Sequence, residues 1–140
     1  MPLKDATAIS NGGNAGQPEH VFDNKPETFW MPPERGEKIR GHAWLGAELA
    51  KPAKVHWIKL RQLPKDSRQE RVRVEKSTDG GVTWSPAGAG TFKLRGTISW
   101  LHIGGDTEAR HWRVVAEGNN GATPPETWAV FKLWLYPARQ

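Results

Sequence analysis

The chain has no cysteine, which excludes a disulfide framework, a thiolate zinc site and a thiol nucleophile. It has no apolar run of the roughly 18 residues that a helical membrane span needs. The opening Met1-Pro2-Leu3-Lys4-Asp5 has none of the apolar stretch of a signal peptide, so the chain as it stands carries no address. No G-x-S-x-G elbow, H-E-x-x-H or phosphate-binding G-x-x-x-x-G-K-[ST] occurs, and no internal repeat is visible. Long stretches without Gly or Pro are also missing. The longest runs from Lys65 to Asp79, which leaves little room for helices.

Present instead are 15 Gly, 11 Pro and 8 Trp in 140 residues, with 36% hydrophobic and 25% charged. That is apolar material for one folded domain over residues 1–140. The net charge of +5 raises the question of an acidic partner. Basic and acidic residues alternate, however, as in Arg68-Gln69-Glu70-Arg71-Val72-Arg73-Val74-Glu75-Lys76. This is the pattern of a solvated strand face, so no nucleic-acid partner is expected.

Arg71-Val72-Arg73-Val74-Glu75 alternates with period two and predicts a strand. Similar segments recur at His42–Leu49, Lys54–Arg61, Thr97–Ile103, Arg110–Glu117 and Trp128–Tyr136. Short strands between turn clusters predict an all-β antiparallel sandwich or barrel. The long connections Asn11–His20, Met31–Gly41, Gln62–Gln69 and Gly118–Thr127 are where function is expected.

Ser77-Thr78-Asp79-Gly80-Gly81-Val82-Thr83-Trp84 fits the Asp-box pattern S-x-D-x-G-x-T-W. Asp79 there can accept backbone N–H groups across a hairpin turn while glycine supplies positive φ. A single copy in a chain this short cannot build a propeller, so the motif is read as structural. Four further segments accompany it: His20-Val21-Phe22-Asp23-Asn24-Lys25-Pro26-Glu27-Thr28-Phe29-Trp30, Trp44-Leu45-Gly46-Ala47-Glu48-Leu49, Ala109-Arg110-His111-Trp112-Arg113, and Phe131-Lys132-Leu133-Trp134-Leu135-Tyr136. In order and spacing the five resemble the discoidin, or coagulation-factor type C, family of galactose-binding-like domains, which includes many bacterial carbohydrate-binding modules. The resemblance runs from about Ala6 to Tyr136. It implies an eight-stranded antiparallel jelly-roll β-sandwich that binds ligands at loops on one end, without catalysis, outside the cell or in the periplasm, as a monomer.

Many members of that family hold a structural calcium ion with oxygens of the turn that matches Asp23 and Thr28 and with a carboxylate at the start of the last strand. Here Lys132 stands at the carboxylate position. An ammonium offers no lone pair and repels a cation. Either Lys132 replaces the metal, pairing with Asp23 and the freed carbonyls, or the register slips by a residue and Lys132 faces solvent. No cofactor is expected.

Trp30, Trp44, Trp84 and Trp112 fall at motif positions occupied by packing aromatics in the family. Trp57 and Trp100 are ambiguous, and Trp134 shares a strand face with Lys132. Sugar recognition combines an aromatic face with groups that hydrogen-bond hydroxyls. The loops offer His20, Arg35, Arg61, Arg68, Asn119, Asn120 and Trp128 as ligand-binding candidates, with Asn14, Glu19 and Arg40 beside them. Galactose specificity does not carry over, because Met31-Pro32-Pro33 stands where many relatives have a histidine. Three classes of function remain, in order: a glycan-binding module, a protein- or membrane-surface interaction (adhesion) domain with an apolar patch at Met31 or Trp134, and a glycan-active enzyme.

Overall fold

The structure, a computed structural model, describes residues 2–13, 16–119 and 126–137, with the backbone alone at Asp66. Its strands are β1 (Ala6–Ser10), β2 (Trp44–Gln62), β3 (Arg71–Ser77), β4 (Ser85–Lys93), β5 (Ile98–His102), β6 (Glu108–Gly118) and β7 (Val130–Pro137). Single 3-10 turns at Pro18–Phe22, Gly36–Ile39 and Lys65–Ser67 are the only helical elements among the described residues. All pairings are antiparallel, in a five-stranded sheet ordered β1-β2-β6-β3-β4 and a three-stranded sheet in which β5 and β7 flank β2.

The expected sandwich is present, with seven strands among the described residues where the family resemblance implied eight. His42–Leu49 and Lys54–Arg61 join into β2, a strand of 19 residues that serves both sheets. Trp44–Glu48 pairs with β6 in the larger sheet and Trp57–Arg61 with β5 in the smaller one. Between them, around Pro52, the register against β6 shifts. Pro52 has no N–H to give a ladder, so the crossover is where a proline costs least.

Alternation fills the space between the sheets. Leu45, Ala47 and Leu49 of β2 and Trp112, Val114 and Ala116 of β6 are buried from one side, and Ile58, Leu60, Leu101, Leu133 and Leu135 from the other. Trp30 and Trp128 meet edge to face at 5.3 Å and both are fully buried. Such rings contribute the largest apolar areas to the core. In the W-x-G strand, Gly46 lies opposite Arg113. A Cβ there would sit 2.0 Å from the Trp112 carbonyl oxygen and 2.9 Å from the Arg113 Cα.

The Asp box closes the β3–β4 hairpin as expected. Asp79 Oδ1 accepts from the N–H groups of Val82 (3.1 Å) and Thr83 (2.9 Å) and from the Ser77 hydroxyl (2.6 Å). Gly80 and Gly81 take the positive φ of 81° and 88° that the turn requires. The hydrogen bonds, led by that of Ser77, hold the Asp79 carboxyl well below the usual carboxylate range. The carboxylate anchors the turn, and the turn favours its ionised form.

Lys132 resolves the alternative left by the sequence. Its ammonium is buried and donates to the carbonyl oxygens of His20 (2.8 Å), Thr28 (3.0 Å) and Phe131 (2.8 Å) and to the Thr28 hydroxyl (3.0 Å), with Asp23 Oδ1 at 3.2 Å. Asp23 in turn accepts from the Thr28 hydroxyl and from the Lys25 N–H at 2.9 Å. The oxygens are of the kind a calcium ion takes. With a cation already among them, donating to them, the residues present do not fit a dication. Burial raises the Asp23 carboxyl, but the hydrogen bonds of Thr28, Lys25 and Lys132 and the Lys132 charge outweigh it and bring the pKa down to about 2.

Four outcomes follow for stability. Gly46→Ala is expected to destabilise by about 1–3 kcal/mol, because two strands must part to admit the methyl; urea unfolding measures it. Lys132→Met is expected to cost about 3 kcal/mol, because Asp23 and the carbonyls lose their shared donor. Saturating calcium is expected to leave the wild-type melting temperature unchanged but to restore part of the loss in Lys132→Glu, whose carboxylate can complete an oxygen cage. Asp23 has a folded pKa of about 2 against an ordinary 3.8, so its contribution is full above about pH 4 and is lost as pH falls toward 2. Melting temperature across that window is expected to drop more steeply in the wild type than in Asp23→Asn.

Candidate functional site

The four long connections of the sequence come together at one end of the sandwich. The Asn11 amide donates to both oxygens of Glu34 (2.9 and 2.8 Å), which joins the first connection to the second. The second meets the last through the Gly36 N–H to the Glu126 carbonyl (2.6 Å) and through Arg40, which reaches the Glu126 carboxylate and the Asn119 carbonyl, both at 3.3 Å. The third meets the last where Asn119 Nδ2 donates to the carbonyls of Lys65 (2.8 Å) and Arg68 (2.9 Å), and where Ser67 and Thr127 hydroxyls share a hydrogen bond of 2.8 Å.

Beneath these contacts lies a buried polar lattice. Gln62, the last residue of β2, and Gln69 clasp each other: Gln62 Nε2 donates to the Gln69 carbonyl and the Gln69 N–H donates to Gln62 Oε1, both at 2.9 Å. The Trp128 indole N–H reaches the same Gln62 oxygen at 3.0 Å. Gln69 Nε2 donates to Glu126 Oε1 (3.2 Å), which also accepts the Asn119 N–H (2.7 Å), while Gln69 Oε1 accepts the Gly118 N–H (2.7 Å). Gln62, Gln69, Asn119 and Glu126 are all buried. Each amide is matched donor to acceptor, and a satisfied network of this kind rigidifies what stands on it.

This lattice corrects two of the expected ligand contacts. Trp128 is 0% exposed and packed on Trp30, so it presents no ring to a sugar. Asn119 is buried with its amide turned inward to the third connection. Both positions belong to the support. Asn120 and Asn14 lie outside the described residues.

The remaining candidates are accessible. Arg35 is exposed and Arg68 half-buried, and among the described residues neither side chain makes a hydrogen bond or ion pair. Arg61 sits on the rim, its guanidinium 4.8 Å from the Phe131 ring centroid. His20 Nδ1 lies 3.1 Å from the Phe29 carbonyl, and the His20 carbonyl is held by Lys132. Phe29, 39% exposed, meets Phe131 edge to face at 5.9 Å. Arg40 is tied to Glu126, and Glu19 is exposed. Met31 is half-buried and Pro32 buried, so the apolar rim expected there is small.

The end of the sandwich is thus a fixed floor carrying arginines with free guanidinium donors. Among the described residues no group of three or more His, Asp or Glu is placed to hold a metal ion. Gln62, Gln69 and Glu126 went unnoticed in the sequence, because two amides at a strand end and in a loop and one loop acid carry no spacing signal. Their only sign was position, flanking the third connection and closing the fourth.

Solved structures share this architecture. The carbohydrate-binding module (CBM32) of AlyQ, in complex with 4,5-unsaturated mannuronic acid, superposes with a TM-score of 0.74 at 15% identity, covering 99% of each chain. An F5/8 type C domain of a Bacteroides fragilis protein gives 0.72 at 12% identity over 96% of this chain and 93% of that one. Chitosan-binding module 1 of a Paenibacillus chitosanase/glucanase gives 0.69 at 19% identity over 96% of each. At these identities the likeness is one of fold. The comparison with curated protein sequences returns no match. The profile of the F5/8 type C domain matches residues 5–130, nine-tenths of the chain, and the chain therefore belongs to the F5/8 type C, or discoidin-like, family.

Proposed function

We propose that this chain is a non-catalytic carbohydrate-binding module that takes a glycan at the loop end of the sandwich and works outside the cytoplasm. The observation that carries this reading is the rigid polar floor of Gln62, Gln69, Asn119 and Glu126 beneath the uncommitted guanidinium groups of Arg35 and Arg68. Loop backbone held from below loses little entropy on binding, and arginine matches vicinal oxygens two at a time. Family membership points the same way. So do the neighbours of like fold that are described as binding a uronic acid or chitosan.

Catalysis has less support. Glycoside hydrolysis needs a carboxylic acid held protonated beside a second carboxylate. Asp23 and Asp79 are engaged in turn hydrogen bonds that favour the ionised form, the opposite of what a general acid needs.

Chemical-shift mapping during titration with a glycan panel tests the reading. A binding glycan is expected to move the amides around Arg35 and Arg68, and Arg68→Ala is expected to weaken binding about tenfold, the loss of one charge-assisted contact. Silence from every glycan would remove the proposal.

A further inference from the structure

The outer face of the three-stranded sheet has a composition unlike the rest of the surface. Cross-strand register sets Trp57 between His102 of β5 and Tyr136 of β7, and Lys59 between Trp100 and Trp134. The rings lock together: Trp57 meets Trp100 edge-on at 6.3 Å and Trp100 meets Tyr136 at 5.2 Å. Trp100 nonetheless remains 51% exposed. This is the apolar patch that the sequence left open between Met31 and Trp134, and it lies on the Trp134 side.

Cations are set into this aromatic face. Lys59 Nζ is 5.1 Å from the Trp100 ring centroid and 4.7 Å from that of Trp134. Two positions further along β2, Arg61 covers Phe131 at 4.8 Å. Lys54–Gln62 of β2, β5 and β7 contain no Asp or Glu. Among the described residues neither Lys59 nor Arg61 has an ion-pair partner, and Asp23 at the margin is engaged by Lys132. An ammonium held between two indoles, partly stripped of water and without a counter-ion, is an anion subsite. Trp57, Lys59 and Arg61 all point to the same side of one strand and span about 13 Å at roughly 3.3 Å per residue.

We propose that this face is a second ligand site, separate from the loop end, which takes an extended uronate-bearing polysaccharide lying along β2. Sugar carboxylates meet Lys59 and Arg61, and the C–H faces of the rings pack on the exposed surface of Trp100 and Tyr136. The proposal rests on the carbohydrate-binding reading and adds to it a charge preference and a second place of contact. A lipid surface fits less well, because the rings pack against one another along the sheet and do not project to insert. Single-stranded nucleic acid needs several ring faces in succession for its bases, and with Lys59 over both Trp100 and Trp134 no such run is open.

The test titrates the full chain with a uronate oligosaccharide, with a neutral oligosaccharide of matching linkage, with anionic phospholipid vesicles and with single-stranded RNA, following backbone amide shifts. The uronate is expected to move β2, β5 and β7 amides around Lys59 and Trp100, with an affinity that falls as salt rises. Lys59→Gln is expected to weaken it about tenfold and Trp100→Ala about fivefold, each with an otherwise unchanged spectrum showing that the fold is kept. The proposal is overturned if the neutral sugar binds the face equally well, if vesicles or RNA move the face and the uronate does not, or if the face stays silent to all four. Glycan shifts confined to the loop end would remove this site while leaving the carbohydrate-binding reading intact; silence at both places would remove both.

Discussion

Strand β2 hydrogen-bonds to four of the other six strands and lies in both sheets. Everything else is placed relative to it. Its first half takes β1 and β6, its second half takes β5 and β7, and the bend around Pro52 sets how the two inner faces meet. Side-chain alternation then does three things at once in the second half. Ile58 and Leu60 go to the core, Trp57, Lys59 and Arg61 go to the outer face, and Gln62 delivers its amide to the floor of the loop end. A one-residue slip of β2 would exchange core for surface along its length. The buried Gln62–Gln69 clasp and the Lys132 contacts each oppose that slip.

Two buried polar assemblies hold the connections, and they use different chemistry. At the loop end the Glu126 carboxylate is shared among an amide, a backbone N–H and Arg40. Along β7 the Lys132 ammonium is shared among carbonyls, a hydroxyl and Asp23. In each case one charge meets several dipoles and a single opposite charge. This arrangement tolerates burial, because both carboxylate oxygens of Glu126 and the ammonium protons of Lys132 are engaged. It also commits those residues to structure. What remains for ligands is what the assemblies leave over, such as Arg35, Arg68 and the outer face of the smaller sheet.

The sandwich was legible because period-two patterning and turn residues report burial directly. β2 was read as two segments because Pro52 and its exposed neighbours look like a break, whereas a proline at a crossover between two sheets leaves the chain extended. Lys132 was legible because a cation at an oxygen-rich position leaves only two possibilities, and geometry chose the one in which it is buried. Trp128 was misplaced for a physical reason. It stands next to a long connection, but the Trp30–Val130 bridge pulls the start of β7 inward and the ring with it. Asn119 shows the same limit, since nothing local says whether a loop amide faces water or a neighbouring carbonyl. The pairing of Lys59 with Trp100 and Trp134 was beyond the sequence, because it depends on the register of three strands.

The eight tryptophans now divide by what surrounds them. Trp30, Trp112 and Trp128 are core. Trp44 and Trp84 lie on the outer face of the larger sheet, where Arg113 covers both at 5.2 and 4.2 Å. Trp57, Trp100 and Trp134 lie on the outer face of the smaller one, with Lys59 between two of them. The two faces therefore use the same stacking of cation on indole, but they differ in how that cation is paired. Arg113 donates twice to Glu75, at 2.9 and 2.7 Å, so its charge is balanced within the sheet. Lys59 and Arg61 have no such partner among the described residues. If aromatic rings sufficed to settle a lysine or arginine, the Glu75 pairing would be superfluous. Cation–π attraction is about 0.5–2 kcal/mol and does not neutralise the field of the charge. Lys59 and Arg61 therefore form a positive strip on the smaller sheet without the carboxylate that Arg113 has, and an anion is the chemistry that completes it.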